Sequence, residues 1–381
     1  MNFAVTEEQG LIREAARSWL AATATSAAVR RAMESKCGYD EPAWKTAAGD
    51  FGWAATAIPE VHGGLGLGMV ELAILQEEIG RTLFPSPFEA TVCLAANVLL
   101  ASDDERQKRK CLPAIASGDL TATLACSEPG GSIDPTSCET RYVPEGGGFR
   151  LNGVKRHVVD GDRADLLLVT ARGEKGVSLF AVAGDTPGLR RTWLPTMDQT
   201  RRQAEIVFDD VRLGADALVG EEGSALTPVR TALDRAAILI AAAQVGAAER
   251  CLDMTVAYAK ERVQFGRSIA SFQAVKHACA DMLLLVESAR SAAYYAACIA
   301  DDGATGDVLA RAASLAKAYC SEAYFACAGE AIQLHGGVGF TWEFDVHLYF
   351  KNAHATEKYL GTPVWHRERV ARLIGLGEEA A

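Results

Sequence analysis

The spacing of hydrophobic residues changes twice along the chain, and these changes divide it into three parts. A capping box of Thr6 and Gln9 predicts the start of a first helix. This helix is expected from apolar residues that recur at helical spacing: Leu11, Ile12, Ala15, Trp19 and Leu20. Further helices are predicted around Glu41 to Ala48 and over Met69 to Arg81. The first part of the chain is therefore expected to be helical.

Around Leu120 the pattern changes to short runs that alternate or are rich in β-branched residues, separated by glycine, proline and aspartate. This pattern is typical of strands joined by turns. Five strands are predicted, at Thr121–Cys126, Gly148–Gly153, Asp165–Thr170, Val177–Val182 and Gln203–Phe208. Gly220 to Ser224 has the composition of a linker, and helical periodicity dominates after it. We expect an α+β protein with a helical N-terminal domain (1–119), a middle β-barrel or sandwich domain (120–219) and a helical C-terminal domain (220–381).

Length and composition agree with a globular protein. The chain has 381 residues, 49% of them hydrophobic and 23% charged, which suits two or three domains. The longest apolar run, Ala236 to Ala248, is interrupted by Gln244 and is too short to span a bilayer. Met1 to Glu8 has neither the basic region nor the apolar core of a signal peptide. We therefore expect a cytoplasmic protein with no membrane partner.

Charge and cysteine content exclude two further classes. The formal net charge of −11 argues against a nucleic-acid partner, because phosphate backbones are bound by clustered Lys and Arg. The ten cysteines include no Cys-x-x-Cys pair, so neither a metal site nor a disulfide framework is indicated. Reduced thiols are expected.

A glycine-rich stretch follows the helical pattern of Val308 to Ile332. It reads Gln333-Leu334-His335-Gly336-Gly337-Val338-Gly339. Glycines this dense leave backbone N–H groups unobstructed and allow a partner to approach closely. The alternative is a helix end with a glycine in the left-handed cap conformation.

A second stretch runs from Tyr258 to Gly266 and contains Arg262, Gln264 and Phe265. The forked guanidinium of Arg262 suits a phosphate group, although taken alone it could be a solvated cation at a helix end. Together the two stretches resemble the paired C-terminal signatures of the acyl-CoA dehydrogenase family. The loop from Pro59 to Gly64 and the helix end Glu77 to Arg81 resemble structural segments of that family's N-terminal domain, so the resemblance covers nearly the whole chain.

The resemblance implies a C-terminal four-helix bundle and FAD-dependent α,β-dehydrogenation of an acyl-CoA substrate, with an electron-transfer acceptor as a partner. In the family, a carboxylate removes the α-proton and the flavin accepts the β-hydride. The residues that would bind FAD by this resemblance are Arg262, Gln264, Phe265, Gln333, Gly336, Gly337, Thr362 and, near the flavin ring, Ser127.

The ring end of the site departs from the family pattern. The loop that carries Ser127 has an additional apolar residue, Ile133, ahead of Asp134. In the strand that follows, His157 replaces the family's aromatic residue and Val159 replaces its hydroxyl residue. His157 could be a catalytic histidine, but a structural or exposed histidine is the alternative.

The catalytic base is absent from both positions that the family uses, where this chain has Leu360 and Ala236. The nearest carboxylate to the second position is Asp234. Two residues rotate a helix by roughly 200°, so Asp234 would point away from the face of Ala236 unless the helix start is unwound. The alternative role for Asp234 is a first-turn acid that stabilises the helix dipole.

Helix geometry predicts an oligomer. If Asp234 and Arg262 belong to one helix, they lie about 42 Å apart at 1.5 Å per residue, too far for one FAD to contact both. Arg262 would then serve the flavin of a neighbouring subunit. The resemblance extends to hetero-tetramers in which a base-lacking subunit lends these residues to a homologous sister subunit. Met197 to Arg202 and Gly339 to Glu343 resemble that branch, which acts on bulky, steroid-type acyl groups. Two alternatives stay open: a self-sufficient homo-oligomer with Asp234 as base, and a flavin-free scaffold.

Overall fold

The computed structural model describes residues 6–377. Met1 to Val5 lie outside the described residues. They belong to the segment Met1 to Glu8, in which no signal peptide was predicted. The helices are α1 (Glu7–Thr23), α2 (Ser26–Glu34), α3 (Glu41–Lys45), α4 (Met69–Thr82), α5 (Asn97–Ala101), α6 (Glu105–Ala116), α7 (Leu226–Glu261), α8 (Gln273–Asp301), α9 (Gly306–His335), α10 (Val346–Lys358) and α11 (Pro363–Leu373). The strands are β1 (Ala122–Ala125), β2 (Arg141–Glu145), β3 (Gly148–Val159), β4 (Leu166–Gly173), β5 (Gly176–Ala183), β6 (Leu189–Leu194), β7 (Gln203–Gly214), β8 (Leu218–Val219), β9 (Val263–Gln264) and β10 (Arg267–Ser268).

The predicted order of helix, sheet and helix is confirmed. The capping box is present, with the Gln9 amide donating to the Thr6 hydroxyl oxygen at 3.2 Å. All five predicted strands exist, and β3 and β7 extend well beyond their predicted ends. Helices α2, α5 and α6 and strands β2, β6, β8, β9 and β10 were not predicted. The division into three domains at residues 119 and 219 stays a prediction.

The described residues form two compact units. The first unit consists of three segments: the residues up to Arg31, Met69–Phe84 and the residues from Ala237 onward. Within it, α4 and α7 approach so closely that their contact requires glycine. A Cβ atom on Gly80 would lie 2.1 Å from the Ala243 carbonyl oxygen, and one on Gly246 would lie 1.8 Å from the Glu77 carbonyl oxygen. Alanine at either position would force the helices apart.

Buried carboxylates of α4 anchor the neighbouring helices of this unit. Glu77 and Glu78 are 2% and 1% exposed. Arg13 binds Glu77 at 2.9 Å and Arg17 binds Glu78 at 2.8 Å, while Arg290 from α8 also contacts Glu77. Because an unpaired buried carboxylate is costly, these pairs hold α1 and α8 to α4. This agrees with the structural role expected for the segment from Glu77 to Arg81.

The second unit comprises Ala32–Gly68 and Pro85–Ala236. Its eight strands form one sheet in the order β6-β7-β3-β2-β4-β5-β8, with β1 paired to β4. Strands β3 and β5 are three positions apart in this order, yet the rings of Phe149 and Phe180 lie 5.1 Å apart. Three strand spacings in a flat sheet would amount to about 14 Å. The sheet is therefore strongly curved around an apolar core, as the barrel or sandwich prediction requires.

Helix α7 is the one helix in residues 6–377 that is long and apolar enough to span a membrane by composition. However, 78% of its most apolar window is buried inside the protein. Burial of this extent fits the core helix of a soluble protein.

Candidate functional site

The glycine-rich turn begins where α9 ends at His335. Gly336 has φ 63° and ψ −143°, a conformation that essentially only glycine adopts. The left-handed cap considered from the sequence is therefore wrong, because that conformation needs ψ near +45°. A 3₁₀ turn from Gly336 to Phe340 follows directly.

The glycines of this turn differ in what surrounds them. A Cβ atom on Gly339 would lie 3.0 Å from the Ile332 carbonyl oxygen and 3.2 Å from the His335 Cβ, so packing within the chain explains this glycine. A Cβ atom on Gly336 or Gly337 would meet nothing within 4 Å. Gly337 also has no positive φ. No described neighbour therefore requires glycine at 337, and a ligand that approaches its backbone closely fits this surface.

Arg262 is the first residue after α7. Its backbone N–H donates to the Tyr258 carbonyl at 2.8 Å, and its carbonyl accepts from the Ile269 N–H at 2.8 Å. Its side chain is exposed, and within residues 6–377 no group is hydrogen-bonded or ion-paired to its guanidinium. Backbone bonds thus fix the residue while the guanidinium stays available.

A short hairpin of β9 and β10 follows Arg262. Its two turn residues, Phe265 and Gly266, have φ of 53° and 75°, the signs that a type I′ turn requires. Phe265 is 91% exposed, and its ring contacts the Phe272 ring edge-on at 6.2 Å. A bulky residue with positive φ is strained, and this one gains little burial in return. Gln264 is exposed beside it.

An aromatic stack connects the two C-terminal motifs. The Tyr258 ring, on the last turn of α7, lies 4.4 Å from the His335 ring at an interplanar angle of 20°. The residue directly after this turn of α7 is Arg262, and the residue directly after His335 is Gly336. The structure therefore brings the two sequence motifs together in one unit. We call Arg262, Gln264, Phe265, Gln333, Gly336 and Gly337 the clamp residues.

The loop at the family's principal base position keeps an unusual conformation without a carboxylate. Leu360 has φ 56° and Gly361 has φ 110°. The His366 Nε2–H donates to the Leu360 carbonyl at 3.0 Å, and the Lys317 ammonium donates to the Gly361 carbonyl at 3.3 Å. Thr362 caps α11 by accepting the N–H of Trp365 at 3.2 Å. The loop is thus held firmly around an apolar side chain.

His366 and Lys317 form the buried support of this loop. Both are almost completely buried, at 1% and 0% exposure. Lys317 also donates to the Thr356 carbonyl at 2.9 Å, in the last turn of α10, where a cation is favoured by the helix dipole. Burial, reinforced by the charge of Lys317, lowers the pKa of His366 to about 3. His366 is therefore neutral at physiological pH.

In the second unit, the loop that carries Ser127 is structured by other residues. Ser127 is half-buried, and its backbone carbonyl accepts the N–H of Arg156 at 2.9 Å. Asp134 caps a 3₁₀ turn by accepting the Thr136 N–H at 3.0 Å and pairs with Arg230 at 3.3 Å. Asp134 is thus engaged in local structure, and Ile133 beside it is half-buried.

A buried ion pair between Glu128 and Lys155 anchors this loop and was not predicted. The Lys155 Nζ lies 2.6 Å from Glu128 Oε1, and Lys155 is fully buried. Burial opposes ionisation of Glu128, but Lys155 and the amides of Thr140 and Glu139 outweigh it and lower the pKa of Glu128 to about 2. Glu128 is therefore an ionised structural group at physiological pH. Its separation from Lys155 in sequence gave no signal of the pairing.

His157 lies on a bulge of β3. The register between β3 and β7 shifts between Lys155 and Val158, and His157 has φ 58°. Its side chain is exposed, with Nδ1 2.8 Å from the Gln203 Oε1 on β7. These contacts favour the structural interpretation of His157. Val159 is 2% exposed, so an aliphatic side chain occupies the interior at that position.

Asp160 carries a carboxyl group that was not among the predicted site residues. It has φ 51°, and burial together with the nearby carboxylates of Glu89 and Asp162 raises its pKa well above the usual range. Arg201 and Arg202 oppose this effect, and they pair with Glu89 at 3.0 Å and with Asp162 at 3.4 Å. A carboxyl group with a raised pKa therefore directly follows Val159.

Asp234 is not a first-turn residue, so that interpretation is wrong. Helix α7 begins at Leu226, two turns earlier, and continues unbroken to Glu261. The unwound start that would let Asp234 replace Ala236 is therefore absent from this helix. Asp234 is 6% exposed and Ala236 is 1% exposed. Helix α7 is continuous from Asp234 to Glu261 and Arg262 follows it directly; the separation of about 42 Å between Asp234 and Arg262 stays a prediction.

Known proteins share this architecture over the full chain. Three family models match: the N-terminal domain of acyl-CoA dehydrogenase over residues 6–119, its middle domain over 123–211 and its C-terminal domain over 226–375. The chain belongs to the acyl-CoA dehydrogenase family. It is an FAD-dependent oxidoreductase of that class.

Individual relatives align from end to end. The acyl-CoA dehydrogenase IpdE2 of Mycolicibacterium smegmatis is 36% identical over 369 residues, which cover 97% of this chain and 98% of the relative. A variant of the Tcur3481-Tcur3483 steroid ACAD is 33% identical with a TM-score of 0.87, covering 97% of this chain and 98% of the other. The ChsE4-ChsE5 complex of Mycobacterium tuberculosis is 28% identical with a TM-score of 0.89, and the match covers 100% of both chains.

Proposed function

We propose that this chain is the base-lacking subunit of a heteromeric acyl-CoA dehydrogenase and completes the FAD site of a homologous sister subunit. The observation that carries the proposal is the contrast between the two ends of the site. Both base positions hold apolar side chains, Leu360 and Ala236, whereas Arg262 and Gly337 present an exposed surface that no described residue covers.

The clamp residues fit the diphosphate of FAD. Arg262 supplies a forked, fully charged donor, and the open backbone at Gly336 and Gly337 admits phosphate oxygens at hydrogen-bonding distance. Gln264, Phe265 and Gln333 would complete this contact, and Thr362 would supply a further contact to FAD, as the family resemblance implies. When bound, FAD supplies the acceptor for the β-hydride of the acyl group. The Ser127 hydroxyl is the group of this chain's middle domain that would reach the ring end.

The relatives support the type of assembly and substrate. ChsE4-ChsE5 is a complex of two proteins, and Tcur3481-Tcur3483 is described as a steroid ACAD. We infer a bulky, steroid-type acyl-CoA as substrate, a hetero-tetramer with a sister subunit, an electron-transfer acceptor and a cytoplasmic location. The division into domains at residues 1–119, 120–219 and 220–381 belongs to the same proposal.

The proposal is tested by the flavin content of the assembled protein. Expressed alone, the chain should bind little FAD and show no acyl-CoA oxidation. Co-expressed with a sister subunit that carries the missing glutamate, it should form a complex with about one flavin per two chains, because only the sister's ring pocket is expected to be complete. Sedimentation monitored at a flavin absorption band measures this ratio.

Two other outcomes would replace the proposal. One flavin per chain with turnover from the purified single subunit would favour a homo-oligomer, and Asp234→Asn would then be expected to abolish that turnover. No flavin in any assembled complex would favour a scaffold that retains only the fold.

Three glycine substitutions separate cofactor binding from folding. Gly337→Ala should lower FAD content while the chain stays folded, because its Cβ meets open space within the described chain. Gly339→Ala should lower thermal stability, because its Cβ would crowd the Ile332 carbonyl. Gly10→Ala is the control, since it also faces open space but lies in α1. Unchanged FAD content in Gly337→Ala would contradict the assignment of the turn.

A further inference from the structure

Tyr258 contacts Arg262 through its backbone and, through its ring, His335, the residue directly before the glycine turn. Its backbone carbonyl accepts the N–H of Arg262 at 2.8 Å. Its ring is stacked on His335, and Phe344 stands edge-on to both rings, at 5.9 Å from Tyr258 and 6.0 Å from His335. The three rings form a small cluster that belongs to both motifs.

His335 is fixed from its own side as well. Its Nδ1–H donates to the Ala331 carbonyl at 2.7 Å, one turn back on α9, and the residue is 5% exposed. Because a carbonyl oxygen can only accept a hydrogen bond, Nδ1 carries the proton. The same bond fixes the orientation of the imidazole ring. Burial lowers the pKa of His335, so the ring remains neutral and Arg262 supplies the positive charge.

The first two residues of the glycine turn have little packing to hold them, in contrast to Gly339, which packs against α9. The Cβ directions of Gly336 and Gly337 both face open space, and glycine has the most backbone freedom to lose. The turn therefore takes its position from the residue that precedes it, His335.

Arg262 follows the last turn of α7, so the Tyr258–His335 stack is a direct side-chain contact between the segments that carry the two motifs. Hydrogen bonds between Gln244 and Ser321 also join α7 to α9, further from the motifs.

We propose that the Tyr258–His335 stack is the contact that holds Arg262 and the glycine turn at the spacing required by one diphosphate. Both are positioning residues and do not touch the cofactor in this role. The inference rests on the proposed function of the clamp residues, and it goes beyond it by assigning the rigidity of the clamp to these two rings.

The test measures FAD affinity of the assembled complex by titration of the flavin-free form. Tyr258→Met and His335→Leu each keep apolar volume but remove the stacked face. Each should weaken FAD binding by about tenfold, and the double variant should lose no more than either single variant, because one shared contact is removed. Tyr258→Phe keeps the ring and should recover most of the affinity. Phe325→Met, which removes another ring pair of the same unit at 5.4 Å, is the matched control.

A second readout does not depend on the cofactor. Amide hydrogen exchange at residues 336–339 should accelerate in the Tyr258→Met chain, whereas it should not change in the Phe325→Met control. Arg262→Ala distinguishes this inference from the proposed function. If Arg262→Ala loses FAD affinity but Tyr258→Met does not, only the positioning role of the Tyr258–His335 stack is refuted. If Arg262→Ala keeps full affinity, the assignment of the clamp residues to FAD is refuted. If the two single-variant losses of FAD affinity multiply in the double variant, the positioning role of the stack is also refuted.

Discussion

Acidification is expected to weaken the first unit through His366. This histidine has a folded pKa of about 3, against an ordinary value of 6.5. Between those values the unfolded chain binds a proton that the folded chain does not. The contribution of His366 to the free energy of unfolding therefore rises with pH across this window. It is fully present above pH 6.5 and is lost as pH falls toward 3.

The magnitude follows from the size of the shift. Each pKa unit corresponds to about 1.4 kcal/mol. At pH 5 the unfolded histidine is almost fully protonated and the folded one is not, so His366 should cost the protein about 2 kcal/mol relative to pH 7. The burial of His366, at 1% exposure, justifies use of the full shift.

The assay compares denaturant unfolding at pH 7 and pH 5 for the natural chain and His366→Gln. Glutamine keeps an N–H donor for the Leu360 carbonyl but does not titrate. The natural chain should lose about 2 kcal/mol more than the variant between the two pH values. Glu128 does not interfere, because its stabilising effect is lost only as pH falls from 4.5 to about 2. Equal losses in the two proteins would show that His366 is not buried in its neutral form.

The remaining predictions concern the site and the second unit. Arg262→Ala should weaken FAD retention by about 1.5–3 kcal/mol without unfolding the chain, as measured by flavin titration and thermal melting. Leu360→Glu should not produce turnover in the isolated chain, because Val159 and His157 still alter the ring pocket; measurable acyl-CoA oxidation would contradict this. Lys155→Met should destabilise the fold by about 3–5 kcal/mol in denaturant unfolding, because Glu128 would be left as an unpaired buried charge. Asp160→Asn should raise stability more at pH 8 than at pH 4, because a group with a raised folded pKa loses its stabilising effect as pH rises; the opposite pH trend would refute the raised pKa of Asp160.

The sequence predicted the elements whose signals are local. The end of α9, the capping box of α1 and the buried strands of the sheet all depend on spacing within a few residues. Strand β6 was missed because it carries Arg190 and Arg191 and lies at the sheet edge, where charged side chains are common. The first-turn alternative for Asp234 implied too late a start for α7, although Pro228 in its first turn was an available signal.

The site could be predicted only in part, because its decisive contacts join distant residues. The motif suggested three equivalent glycines, whereas the structure separates Gly339, which packs against its own helix, from Gly337, which does not. The stack of Tyr258 on His335 and the ion pair of Glu128 with Lys155 depend on tertiary proximity, for which a single sequence carries no spacing rule. The raised pKa of Asp160 depends likewise on burial and on carboxylates brought near by folding.

The first unit is assembled from both ends of the chain, and this has a consequence for synthesis on the ribosome. Helices α1 and α4 emerge early and pair with each other, but the residues of α7 and α8 that they also contact lie after Ala237. Chains emerge at about 5–20 residues per second, so α4 waits roughly 10 s or more for the helix that its Gly80 must meet. Most of the second unit emerges during that interval. The apolar and acidic faces of α1 and α4 are therefore expected to need a chaperone until the C-terminal helices arrive, and expression should be more sensitive to truncation after α7 than to changes in the loops of the sheet.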